Sequence, residues 1–152
     1  MKLLNVFLLI LGLSAPLFAQ TANPNYNKAL ADSLGADEYG MKKYTLVILK
    51  TGSNKTTDKD KINALFRGHL DNIGRLAKEG KLVVAGPLGK NDKTYRGIFI
   101  LNVATPAEAK NLLATDPAIK ENLLEAELYD WYGSAALPAY LEVHSKIEKN
   151  KP

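Results

Sequence analysis

The chain has 152 residues, with 20 Lys and Arg against 16 Asp and Glu, a formal net charge of +4 and no cysteine. Without cysteine there is no disulfide, no thiol nucleophile and no thiolate metal site. The mild charge is spread over scattered lysines (Lys42, Lys43, Lys50, Lys55, Lys59, Lys61, Lys90, Lys93) with no aromatics interleaved, which argues against a nucleic-acid surface.

Residues 1–19 read as a signal peptide. Lys2 is the charged start, Leu3 to Leu13 the apolar run, Ser14-Ala15-Pro16 the break, and Leu17-Phe18-Ala19 the cleavage region. The run is short for a bilayer span, so the expectation is an exported bacterial protein, periplasmic or secreted, with no membrane insertion after cleavage. What remains suits one domain with a single core.

Residues 20–43 form an N-terminal helix and linker. Tyr26, Leu30 and Leu34 recur at helical spacing before Gly35, which predicts a packing helix from Asn25 to Leu34. Tyr44 to Leu49 is β-branched and apolar, a strand expected to be buried on both faces or nearly so. In the polar loop that follows, Asn54-Lys55-Thr56 matches a glycosylation sequon, a three-residue pattern that arises by chance. Thr57 with Asp60 resembles a capping box.

The long helix that this box opens carries Ile62, Leu65, Phe66, Leu70, Ile73, Leu76 and Ala77 on one stripe. His69 lies within that stripe, so a titratable ring points toward packed interior or a pocket cut into it. Gly80 ends the helix, and Leu82-Val83-Val84-Ala85 reads as a buried strand stopped by Gly86-Pro87. After a turn from Leu88 to Thr94, Tyr95 to Val103 is a third strand that pairs back as an antiparallel hairpin. Thr105-Pro106-Ala107-Glu108 is a strong helix start. That second helix buries Ala109, Leu112 and Leu113 and closes at Asp116-Pro117, because the residue before proline leaves the helical region. Leu124 to Trp131 alternates as a fourth strand, with Leu124, Ala126 and Leu128 on one face. Ala135 to Lys149 predicts a C-terminal helix and charged tail.

The order strand, helix, strand, strand, helix, strand is the ferredoxin-like βαββαβ pattern of an α+β domain, here spanning 44–134. It places a four-stranded antiparallel sheet under helices on one face, with an added helix at each end. The other sheet face stays uncovered unless a second copy buries it, so a homodimer is expected.

Two residues stand out for chemistry. An Asp within reach of the His69 ring would fix its tautomer and leave the other nitrogen free to move a proton, and Asp116 is the candidate. The spacing alone leaves the ordinary readings open: His69 as a hydrogen-bonded core histidine, Asp116 as a helix-end turn residue. His144, beside Glu142 and Lys146, reads as a surface residue. The two histidines are far apart in the chain and make no dedicated metal site. Gly86-Pro87-Leu88-Gly89 opens no helix, so it cradles no phosphate, and no cofactor fingerprint is present.

His69-Leu70, Glu79-Gly80-Lys81-Leu82, Ala85-Gly86-Pro87 and Asp116-Pro117-Ala118, in that order over roughly Tyr44 to Tyr132, resemble the signature of the YciI-like (YCII-related) family. The resemblance implies a ferredoxin-like fold that dimerises as an α+β barrel. It also implies a pocket with a catalytic His–Asp pair, falling here on His69 and Asp116, and a small-molecule ligand. Relatives include lyase- or isomerase-type enzymes acting on small ring compounds. Phe66, Gly86, Pro87, Tyr129 and Trp131 are the candidate lining residues. The expected function is a cofactor-independent acid/base enzyme acting on a small apolar or aromatic compound. The alternative is a non-catalytic module of the cell envelope that binds a small molecule or serves assembly. The export signal and both terminal helices lie outside the family's minimal domain.

Overall fold

The computed structural model describes residues 23–149. The expected signal peptide lies outside them. No helix among the described residues is long and apolar enough to cross a membrane.

In chain order the elements are α1 (Lys28–Leu34), β1 (Met41–Thr51), α2 (Lys59–Lys78), β2 (Leu82–Pro87), β3 (Tyr95–Leu101), α3 (Pro106–Leu113), α4 (Pro117–Lys120), β4 (Leu124–Ser134), a 3₁₀ turn (Leu137–Ala139) and α5 (Tyr140–Ile147). The four strands form one sheet in the order β2-β3-β1-β4, every pair antiparallel. This is the predicted α+β, ferredoxin-like arrangement. It carries one helix more than the sequence indicated.

Strand register explains the two faces of the sheet. Val47 pairs with Phe99 and Leu128, and Leu49 with Gly97 and Ala126, so these side chains share the face under the helices. There they meet Leu76 of α2, Ala109 and Leu113 of α3, and Ala118 of α4 in one core cluster. The intervening residues of β1, Leu46 and Ile48, pair with Ile100 and Ile98 on the opposite face. All four are only half-buried. β1 is therefore sealed on the face under the helices but only half-sealed on the other around Leu46 and Ile48, although Tyr44, nearer the strand's start on that face, is buried.

Several local expectations need correction. The N-cap of α2 is Asp58, whose carboxylate accepts from the amides of Asp60 and Lys61, both at 3.0 Å; Thr57 plays no capping part. Asp is as good a cap as Thr and sits one residue nearer the helix. Gly80 does end α2 in the left-handed region, at φ 66°. β2 continues through Gly86-Pro87 instead of stopping there, since an edge strand tolerates the missing proline amide. α1 starts at Lys28, capped by Asn27, and fully buries none of its residues: Leu30 is 56% exposed, and Tyr26 just before the helix 60%.

The largest difference falls between α3 and β4. The second helix ends at Leu113, and Asp116-Pro117 opens the additional helix α4. The Asp116 carboxylate accepts from the Ala118 amide at 2.9 Å and the Ile119 amide at 3.4 Å, with Pro117 at the first helical position. An Asp-Pro pair favours starting a helix as much as ending one. The start prevails here because Ala118 is fully buried in the core.

Candidate active site

α2 supplies His69 and the α3–α4 turn supplies Asp116. Both side chains are buried, His69 at 8% and Asp116 at 1% relative exposure. The ring Nδ1 lies 2.5 Å from the second carboxylate oxygen of Asp116, across 47 residues of sequence. Because the first oxygen already caps α4, the carboxylate is held from both ends: backbone amides fix its orientation and the imidazole meets what is left free. An ionised carboxylate only accepts, so Nδ1 carries the proton and donates it. Nε2, which has no protein partner among the described residues, then keeps its lone pair.

The ring plane is fixed by aromatics. Phe99 of β3 stacks on it, with centroids 5.8 Å apart and planes 23° apart, and Phe66 meets it edge-on at 6.2 Å and 88°. The same residues border a cavity of about 340 Å³ between α2 and the β2–β3 end of the sheet. Leu49, Leu70, Ile73 and Leu124 complete an almost wholly apolar wall, and Arg96 with His69 are its ionisable members. The volume falls within the range of pockets that take one small organic molecule.

Of the predicted lining residues, Phe66, Gly86 and Pro87 border this cavity and Tyr129 and Trp131 do not. Tyr129 pairs with Leu46 and Trp131 with Tyr44, which puts both on the open face of the sheet, away from α2. Trp131 instead borders a second, smaller hollow of about 230 Å³ with Lys43, Tyr44, Asp130 and Tyr132. The sequence reading did not single out Phe99, Leu49, Arg96 or Leu124. Strand alternation held the signal for two of these, since Leu49 and Phe99 share the core-facing parity of Val47 and Leu101. Among the described residues, no three His, Asp or Glu side chains gather as metal ligands.

The YCII-related domain model matches residues 44–132, from near the start of β1 to near the end of β4. The chain belongs to the YCII-related domain family. The dyad and every residue lining the larger cavity fall inside the matched segment; α1 and α5, by which this YCII-related chain is extended, fall outside it. Among solved structures, it is similar to the 5-chloro-2-hydroxyhydroquinone dehydrochlorinase of Burkholderia phenoliruptrix, determined in complex with 2,5-dihydroxybenzoquinone. Identity is 21%, the match covers 57% of this chain and 92% of that one, and the TM-score is 0.41. No curated protein matches the chain.

Proposed function

We propose that this protein is a cofactor-independent acid/base enzyme of lyase or isomerase type, acting on a small apolar or aromatic compound. The observation that carries this reading is the 2.5 Å contact between His69 Nδ1 and Asp116, which leaves Nε2 as the free base beside an apolar cavity. Asp116 holds the tautomer and stabilises the imidazolium that forms when Nε2 takes a substrate proton. The same nitrogen then returns that proton to a leaving group or to a second carbon, giving elimination or isomerisation. A positioned base of this kind contributes about 10²–10⁴-fold to rate. The apolar wall and the burial of both partners lower the local dielectric, which strengthens the electrostatic coupling within the pair.

The tautomer is open to direct measurement. The nitrogen-15 spectrum of the neutral His69 ring is expected to show protonated Nδ1 and bare Nε2 in the wild type. In Asp116→Asn the amide NH₂ faces the ring and the protonated nitrogen switches to Nε2. A wild-type spectrum showing Nε2–H would overturn the assignment.

The reading extends to the assembly and its location. A homodimer formed through the open sheet face is supported by the half-buried Leu46, Ile48, Ile98 and Ile100. Export to the periplasm or medium is supported by the sequence of residues 1–19 alone.

A further inference from the structure

The His69–Asp116 contact is made by two segments that must arrive in register, and neighbouring contacts on either side of it set that register. Three consecutive residues, the last two of the α3–α4 turn and the first of α4, meet α2 one after another. Thr115 meets Asn72 and Arg75, Asp116 meets His69, and Pro117 meets Gly68. The chain therefore runs down one flank of α2, gripped on both sides of the dyad.

The Gly68 grip is steric. A Cβ on Gly68 would stand 2.6 Å from Cγ of Pro117, well inside van der Waals contact and against a ring that has little freedom to move aside. Glycine is a poor helix former, and at this mid-helix position its φ is not positive, so backbone conformation does not call for it. What it provides is the close approach of α4. The same helix holds a second glycine, Gly74, where a Cβ would meet nothing within 4 Å.

The grip on the other flank is polar. The Thr115 hydroxyl accepts from an Arg75 guanidinium nitrogen at 2.9 Å, and its single proton has the Asn72 side-chain oxygen at 2.9 Å and the Leu112 carbonyl at 2.6 Å to choose between. A second bond from Arg75 to the Asn72 oxygen, 2.7 Å long, closes the triangle. Asn72 is 8% exposed, so this oxygen is committed to the network and not to solvent.

We infer that Gly68, together with the Asn72–Arg75–Thr115 triangle, forms a positioning device that sets how closely Asp116 approaches His69. This rests on the dyad being the working site for its significance, although the geometry it concerns is independent of turnover. None of these four residues borders the cavity. They act through the dyad and not on a substrate.

The experiment is a set of four chains read by the Nδ1–H proton signal and the nitrogen-15 shifts of His69. Gly68→Ala is expected to lose the hydrogen-bonded Nδ1–H signal, because the new methyl pushes Pro117 and with it Asp116 off the ring. Gly68→Ala/Pro117→Ala is expected to regain it, since the offending Cγ is gone. Gly74→Ala, an equal gain in helix propensity on the same helix, is expected to leave the signal unmoved. If Gly68→Ala fails to fold, the steric claim is carried by the double variant, which should fold. A Gly68→Ala chain with the wild-type signal, or a double variant no better than the single one, overturns the inference. The two proposals fail differently. An Nδ1–H signal insensitive to Asp116→Asn defeats the dyad itself, whereas sensitivity to Asp116→Asn without sensitivity to Gly68→Ala defeats only the positioning device.

Discussion

Asp116 performs two tasks with one carboxylate, and the tasks separate by substitution. One oxygen caps α4 and the other receives the His69 proton. Asp116→Ala removes both. It is expected to cost about 1 kcal/mol for the cap and about 1–3 kcal/mol for the buried ring N–H left without an acceptor. Asp116→Asn keeps an N-cap as good as Asp, and its NH₂ still meets the ring. Its loss in denaturant unfolding is expected to be less than half that of the alanine variant. Equal losses for the two would show that the cap contributes nothing and that the carboxylate is retained for its charge alone. The role of His69 was half legible in the sequence. Its place on the apolar stripe was plain from the spacing, but its acceptor sits in a turn 47 residues away, and Asp116 was paired with it through the family resemblance because no local pattern encodes that distance.

Elements were legible wherever the sequence carries its own punctuation. Thr105-Pro106 with Glu108 opens α3 as its cap chemistry requires, the Thr105 hydroxyl accepting from the Glu108 amide. Gly80 closes α2. Where two signals compete, the winner was decided by packing that a linear reading does not contain. Asp116-Pro117 starts a helix because Ala118 has a place in the core, and Asp58 displaces Thr57 as a cap by being one residue closer. The stretch joining α1 to β1 is tied to β4 in a way the sequence did not suggest: the Tyr132 hydroxyl donates to Asp37, and Asp37 also accepts from the Met41 amide. Donation by Tyr132, and then by Met41, holds the Asp37 carboxyl below the usual carboxylate range. The same bond pushes the Tyr132 phenol up to about 12. The signs are opposite. The depressed Asp37 supports the link above the ordinary carboxylate range and loses it as pH falls through its lowered value. The raised Tyr132 supports it fully below pH 10, its unfolded value, and loses it as pH climbs toward about 12. Burial also raises Tyr44 and Tyr140, and the bond to Glu127 raises Tyr129, so a spectrophotometric alkaline titration is expected to show a late-ionising fraction that shrinks by one tyrosine in Tyr132→Phe. A late-ionising fraction unchanged in Tyr132→Phe would contradict the bond to Asp37.

For the whole molecule, the sheet has one face packed under helices and one left open. On the open face the cross-strand pairs Leu46–Ile100 and Ile48–Ile98 form a contiguous apolar centre. It is bordered by Tyr129 and by the Lys50–Glu127 ion pair, 2.5 Å long. An antiparallel sheet facing water normally alternates apolar with polar across its faces, and this one does not at its middle. The dimer proposed through this face is expected to persist at micromolar concentration in light scattering. Ile48→Asp, placing a charge at its centre, is expected to yield a monomer with the fold intact by circular dichroism. A wild-type monomer would contradict the proposal. That one face would lie uncovered followed from the element order in the sequence, whereas the apolar run of β1 pointed to burial on both faces; α5 was only partly readable. The predicted C-terminal helix begins as a 3₁₀ turn and becomes α-helical at Tyr140, whose hydroxyl reaches the Val83 carbonyl of β2.

The central claim is that Nε2 of His69, freed by Asp116, moves protons for a small molecule held in the cavity between α2 and the sheet. Hydrogen–deuterium exchange tests it most directly. Substituted phenols and small cyclic ketones found to bind the protein are incubated with it in deuterated buffer, and loss of their acidic C–H protons is followed by NMR. The account predicts exchange above the buffer rate for at least one bound compound, slowed about 10²–10⁴-fold by His69→Gln. Compounds that occupy the cavity yet exchange no faster than in buffer, or exchange that His69→Gln leaves untouched, would contradict it.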